Sequence, residues 1–344
     1  MKNLNLYQKI FNMSYKVAII GATGAVGNKL LSTLIERNFP LKELYLLASN
    51  RSEGKQLKFK NRKFIVQSIE KFDFKDVDIA FFSAGSSVSA KYAKEAEKKN
   101  CYVIDNTSHF RMDKNIPLIV PEVNHSELGK MRGKIISNPN CSTIQMLVAL
   151  RPIHNINRIK KIIVSTYQSV SGAGQQAMNE LTNQSKAIIE EKELRIENFP
   201  KQIAFNVIPQ IDVFMDNGYT KEEMKMVNET KKILDHSIEV NATCVRVPSY
   251  ISHAESVYIE LENDIDLTSL ENALNNGEGV IYSSSDYHTP LDSTGQDAVY
   301  VSRLRRDLKK ENAFNLWIVS DNLLIVAALN SVQIGEALIK KKMV

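Results

Sequence analysis

The chain has 344 residues, 43% apolar and 24% charged, with a formal net charge of +5 spread along its length. That length suits two domains and that composition a water-soluble globular protein. The small positive balance gives no ground for a nucleic-acid partner and suits small anionic substrates. No uninterrupted apolar run approaches the roughly 20 residues of a membrane span, so no membrane partner is expected. The three cysteines, Cys101, Cys141 and Cys244, form no Cys-x-x-Cys pair. They fit a reducing cytoplasm rather than a disulfide framework. The six histidines show no metal-ligand spacing, and no metal is expected.

In chain order, residues 1–13 read as an extension with neither the apolar core nor the cleavage site of a signal peptide, and Met13 is an alternative start. "KVAII", from Lys16, predicts a buried strand, "GATGAVG" a turn, and "NKLLSTLIERNF" a helix. "ELYLLAS", "VDIAFFSAG" and "CYVIDNT" are further strands, with a helix over "SAKYAKEAEKKN". This alternation predicts a parallel, doubly wound sheet whose ligands bind at the strands' C-terminal edge. After Leu150, "RIKKIIVSTYQSV", "ATCVRVPSY" and "ESVYIELE" predict longer strands of an antiparallel sheet. Polar helices are expected over 177–194 and 221–234. The tail from Ser320 predicts a strong helix, capped by Ser320 or Asp321 and closed by lysines.

Gly21, Gly24 and Gly27 lie between a strand and a helix, where glycines let the backbone turn tightly and approach a pyrophosphate. The spacing is G-x-x-G-x-x-G. After the second strand, Ser49, Arg51 and Ser52 stand where an NAD site usually carries an acid. A guanidinium and hydroxyls suit a 2′-phosphate, so NADP is expected, although Glu53 is nearby.

Cys141, in "SNPNCSTIQM", falls at a predicted helix start. There the helix dipole favours a thiolate, and free N–H groups can hold an oxyanion. A nucleotide-binding domain followed by such a cysteine suggests an aldehyde chemistry that passes through a thioester. His253, in "RVPSYISHAES", is the candidate acid/base. Cys101 and Cys244 read as buried structural thiols.

From about Tyr15 onward these motifs resemble the aspartate-β-semialdehyde dehydrogenase family. The matching stretches include "VAIIGATGAVG", "LLASNRSEGK", "VIDNTSHFRMD", "SNPNCSTIQM", "QSVSGAGQQAMNEL", "EEMKMVNETKKIL", "RVPSYISHAES" and "NLWIVSDNLL". The resemblance implies a Rossmann-type α/β domain with an α+β catalytic and dimerisation domain, similar to the glyceraldehyde-3-phosphate dehydrogenase-like fold. Its boundaries would be 14–140 plus 322–344 for the NADP-binding domain and 141–321 for the catalytic one. It implies NADPH-dependent reductive dephosphorylation of aspartyl-β-phosphate to aspartate β-semialdehyde, with inorganic phosphate released, in a homodimer or homotetramer.

Cys141 would be the nucleophile, His253 the acid/base, and Gln168 the substrate-orienting glutamine. Arg246 would grip the substrate carboxylate and Glu222 its amine. Arg111 and Lys225 would bind phosphate, with Asn140 beside the nucleophile. Cofactor positions would be Thr23, Gly24, Ala25, Val26, Arg51, Ser52, Ser171, Gly172 and Asn322, with the flanking Gly21 and Gly27. Without the resemblance, Glu222 and Lys225 read as one solvated helix face. Ser252, Ser302, Ile325 and Val326 depart from the family pattern. The rival readings are an N-acetyl-glutamyl-phosphate reductase, a glyceraldehyde-3-phosphate dehydrogenase, and a paralogue that binds nucleotide without catalysis.

Overall fold

The computed structural model describes residues 14–59 and 62–344, and the chain divides into two compact units. The 1–13 extension and the side chain of Val326 lie outside the described residues.

The first unit comprises the described residues up to Pro121, His125–Asn138 and Ala327–Val344. Its elements are β1 (Tyr15–Ile20), α1 (Ala25–Glu36), β2 (Leu41–Ala48), β3 (Gln56–Phe59), β4 (Arg62–Ser68), β5 (Ile79–Phe82), α2 (Ser86–Lys98), β6 (Tyr102–Asp105) and β7 (Ile135–Ser137). The sheet order is β3-β4-β2-β1-β5-β6-β7, parallel except for the β3–β4 pair. The chain steps outward from β1 on both sides, so the order reverses at β1, where the glycine turn begins. Alternation sends Val17 and Ile19 into one core and Ala18 and Ile20 into the other, on opposite sheet faces.

The second unit comprises Glu122–Asn124 and Pro139–Val326. It holds α3 (Cys141–Ile156), β8 (Ile159–Gln168), α4 (Gln175–Ile189), α5 (Lys221–Ile233), β9 (Glu239–Arg246), β10 (His253–Leu261), α6 (Leu267–Asn275), β11 (Val280–Ser283), β12 (Val299–Arg306) and β13 (Ala313–Ser320). The sheet order is β11-β12-β13-β10-β8-β9, and one face packs on α3. Contrary to the antiparallel expectation, the sheet is mixed, because β8–β9 and β11–β12 run parallel. The long connection through α4 and α5 is what allows the parallel β8–β9 pair. On the α3 side β8 presents Ile162 and Val164, then Thr166 and Gln168, so this face turns polar toward the strand's end.

Two predicted ends move. Helix α4 stops at Ile189, and Glu191 turns left-handed (φ 53°). In the tail, Asp321 Oδ1 accepts the N–H groups of Leu323 and Leu324. Asn322–Leu329 then winds as a π-helix, followed by α7 (Asn330–Lys340), which belongs to the first unit and adds Val332 and Leu338 to its core. Asn322–Lys340 as a whole is long and apolar enough to cross a membrane, which no single apolar run in the sequence is. It is largely buried within the protein.

Candidate active site

Asn140 organises the start of α3. Its Oδ1 accepts the N–H groups of Ser142 (3.0 Å) and Thr143 (3.4 Å), and its Nδ2 donates to Glu222 Oε1 at 2.8 Å. Its backbone N–H donates to Glu229 Oε2 at 2.6 Å. The expected oxyanion role of free N–H groups here is corrected in part, since Asn140 itself takes those of Ser142 and Thr143. Cys141 is half-buried, whereas Cys101 and Cys244 are fully buried, and none is in a disulfide. Burial first, and then nearby carboxylates, pushes the Cys101 and Cys244 thiols far above their ordinary range. Cys141 alone of the three is open to reagents.

The strand register assembles a row. His253 on β10 faces Gln168 on β8, which faces Arg246 on β9. All three are buried. His253 Nδ1 accepts the Ser169 N–H at 3.1 Å, so the neutral ring carries its proton on Nε2, which has no protein partner. Burial, then the charge of Arg246, lowers the ring's pKa to about 3. Arg246 Nη1 donates to the Ser169 carbonyl at 2.7 Å. Gly172 packs against both side chains, and a Cβ there would stand 3.1 Å from Arg246 Nη1 and 3.4 Å from His253 Nε2, so a larger residue would press on the Arg246 guanidinium.

Glu222 and Lys225 do not form a solvated face. Glu222 is buried, accepting from Gln168 Nε2 (3.2 Å) as well as Asn140, and it pairs with Lys225 Nζ at 2.9 Å. Burial alone would raise this carboxyl. The Lys225 charge and the hydrogen bonds outweigh burial and hold it down to about 2. Lys225 also meets Asp212 at 3.0 Å.

Asn322 knits the strand ends together. Its Oδ1 accepts the Ser252 N–H at 2.9 Å, and its amide is hydrogen-bonded with Ser171 Oγ. Ser252 is left-handed (φ 71°), a conformation glycine adopts without strain and a serine does not. Ser302 is buried, with the left-handed residue next to it at Arg303 (φ 56°), and Ile325 is buried. Sequence reasoning missed Ser169, Thr166, Glu229 and Asp212. Only Ser169, adjacent to Gln168, stood beside a motif residue already singled out.

In the first unit, Gly21, Thr23, Gly24, Ser49, Arg51 and Lys91 line a cavity of about 610 Å³. A Cβ on Gly21 (φ 88°) would come 2.9 Å from the Ala84 nitrogen, and one on Gly27 would come 2.2 Å from the Gly21 carbonyl. Helix α1 starts at Ala25 and Val26 with no side chain capping it. This tight turn, uncapped helix start and adjoining cation fit a dinucleotide phosphate. Ser52 shares the Asn50–Ser52 turn with Arg51. Arg111 is buried in this unit, donating from Nε to the Asn138 carbonyl and from Nη2 to that of Asn106, both at 2.9 Å.

The family model of the semialdehyde dehydrogenase NAD binding domain matches residues 16–131, and that of the dimerisation domain matches 150–325. The chain is 51% identical over 333 residues to aspartate-semialdehyde dehydrogenase 2 of Vibrio cholerae, covering 96% of this chain and 99% of that protein. It is also 51% identical over 341 residues to aspartate-semialdehyde dehydrogenase of Bacillus subtilis, covering 95% and 98%. The crystal structure of aspartate semialdehyde dehydrogenase II from Vibrio cholerae complexed with ASA matches with a TM-score of 0.94 at 50% identity, over 96% of this chain and 99% of that one. With both domain models matched in order and these identities sustained over nearly the whole length, the chain belongs to the aspartate-semialdehyde dehydrogenase family.

Proposed function

We propose that this chain catalyses NADPH-dependent reductive dephosphorylation of aspartyl-β-phosphate to aspartate β-semialdehyde and inorganic phosphate, and the reverse, in lysine, threonine and methionine biosynthesis. The observation that carries the reading is a half-buried cysteine at the start of α3, in the same unit as the buried row His253–Gln168–Arg246.

The Cys141 thiolate attacks the acyl carbon, phosphate leaves, and a thioester remains. The nicotinamide, when bound, supplies the hydride. His253, the proposed acid/base, presents its Nε2–H as a hydrogen bond to the oxygen that gathers negative charge, and that oxyanion collapses to the aldehyde as the Cys141 thiolate is expelled. Arg246 spends one nitrogen on Ser169, and the rest of its fork has no protein partner among the described residues, which suits a substrate carboxylate. Glu222, held ionised, suits a free substrate amine that an acetylated substrate would lack. Gln168 and Asn140 meet at Glu222 and orient that end. Lys225 and Arg111 are the proposed phosphate ligands. Gly21, Thr23, Gly24, Ala25, Val26, Gly27, Arg51 and Ser52 would hold the dinucleotide, with Ser171, Gly172 and Asn322 toward its nicotinamide. The domains we assign are 14–140 plus 322–344 for cofactor and 141–321 for catalysis and dimerisation, in a cytoplasmic homodimer or homotetramer.

The test is NADP reduction by aspartate semialdehyde with and without phosphate. The reading expects sustained reduction only when phosphate is present. Turnover independent of phosphate, or none in its presence, would overturn it.

A further inference from the structure

One residue along each strand's inward face from the row His253–Gln168–Arg246 lies a second cross-strand row, Glu255–Thr166–Cys244. The two rows are joined, because Thr166 Oγ1 donates to Gln168 Oε1 at 2.9 Å. Glu255 is wholly buried, and neither of its carboxyl oxygens has a hydrogen-bond partner of ordinary geometry. No cation faces it. The titratable groups around it are the Cys244 thiol on β9 and His253 on its own strand, while β13 places Ile318 opposite and α3 offers the neutral Gln145. The Gln145 carboxamide is the polar group nearest in effect. Its Oε1 is pinned by Ser320 Oγ at 2.6 Å, and its buried Nε2 is likewise unpartnered. Gln145 sits four residues after Cys141, on the same face of α3. Ser320 pairs with His253 in the β10–β13 ladder.

We propose that Glu255 is a positioning residue that acts through Gln145, seating the first turn of α3 against β10 and β13 and thereby setting the Cys141 thiol with respect to His253. This rests on the reading of Cys141 as nucleophile. An apolar side chain would fill this place at lower cost, since a buried carboxyl without a cation is expensive. Burial pushes the Glu255 carboxyl well above its ordinary range, and the neutral acid offers one O–H donor and a carbonyl acceptor, the complement of a carboxamide. The isosteric, neutral glutamine should therefore replace it, and leucine should not.

Wild type, E255Q, E255L and S320A are compared for kcat, KM, NADP binding and the pH dependence of Cys141 alkylation by iodoacetamide. E255Q should keep kcat and the alkylation profile near wild type. E255L and S320A should lose roughly 10- to 100-fold in kcat with a displaced alkylation profile and unchanged NADP binding, the scale expected of a small misplacement of a reacting group. Folded E255L with wild-type kcat and alkylation overturns the proposal, as does E255Q as impaired as E255L. Should E255L not fold, S320A and E255Q decide between the same outcomes. Linkage adds an independent reading. A carboxyl whose folded pKa is raised stabilises the fold less as pH rises, so E255Q should gain melting temperature over wild type at about pH 8 and lose that gain near pH 4. An active C141A enzyme would sink the nucleophile reading itself. Inactive C141A with an unaltered alkylation profile in E255L would sink this inference alone.

Discussion

His253 Nδ1 accepts the backbone N–H of Ser169 at 3.1 Å. Because that donor is a peptide, no side-chain substitution removes it, and the imidazole is held as the Nε2–H tautomer. Nitrogen NMR of the free enzyme should show this neutral tautomer well below pH 6.5, since burial and Arg246 lower the pKa to about 3. A lowered His pKa contributes stability that is present above the unfolded value near 6.5 and lost as pH falls toward 3. A His253 titration midpoint near 6.5 in the folded enzyme would contradict the geometry. His253→Asn should slow turnover by roughly 10²–10⁴-fold while Cys141 stays alkylatable.

Lys225 is the cation that keeps buried Glu222 ionised. Lys225→Met should destabilise the enzyme at neutral pH by about 3–5 kcal/mol, the usual cost of stranding one member of a buried pair. The lowered Glu222 pKa gives stability that is present above about 4.5 and lost as pH falls toward about 2, so the gap between variant and wild type should narrow in acid. Melting temperatures at pH 7 and pH 3 read this directly. A gap that is equal at both would show that the pair does not carry the stability.

Arg51 lines the first-unit cavity beside the glycine turn. Arg51→Ala should weaken NADP by about 1.5–3 kcal/mol, the range for a hydrogen bond to a charged group, and leave NAD nearly unchanged. Titration of both cofactors separates the cases, and equal loss for both would make Arg51 a folding residue.

Arg246→Lys keeps the charge but loses the planar fork that reaches the Ser169 carbonyl. Turnover with aspartate semialdehyde should fall steeply while NADP binding holds. Near-normal turnover would move the carboxylate site elsewhere.

The first unit was legible because apolar runs, a glycine turn and amphipathic helices each carry their own period. Cys141 was legible for a similar local reason, as the residue following Asn140, a good N-cap, and preceding an apolar helix. Glu222 and Lys225 were not, because on α5 they look like any charged i, i+3 pair. Only the packing of α5 on β9 and α3 buries them, and Asp212 reaches Lys225 from an irregular segment in a left-handed conformation. Ser169 was missed because its backbone N–H and carbonyl hold His253 and Arg246, which no side-chain pattern reports, and its hydroxyl meets Ser171, His253 and Asn322 only once the fold brings them together. The parallel β8–β9 pair was misread because strand direction follows the connection between strands rather than their alternation.

The most direct test of the thioester reading is mass spectrometry of the enzyme mixed with aspartate semialdehyde and NADP in the absence of phosphate. The acyl adduct should sit on the Cys141 peptide, with Cys101 and Cys244 unmodified and the adduct released on adding phosphate. An adduct on Cys244 instead, or turnover by Cys141→Ala, would contradict it.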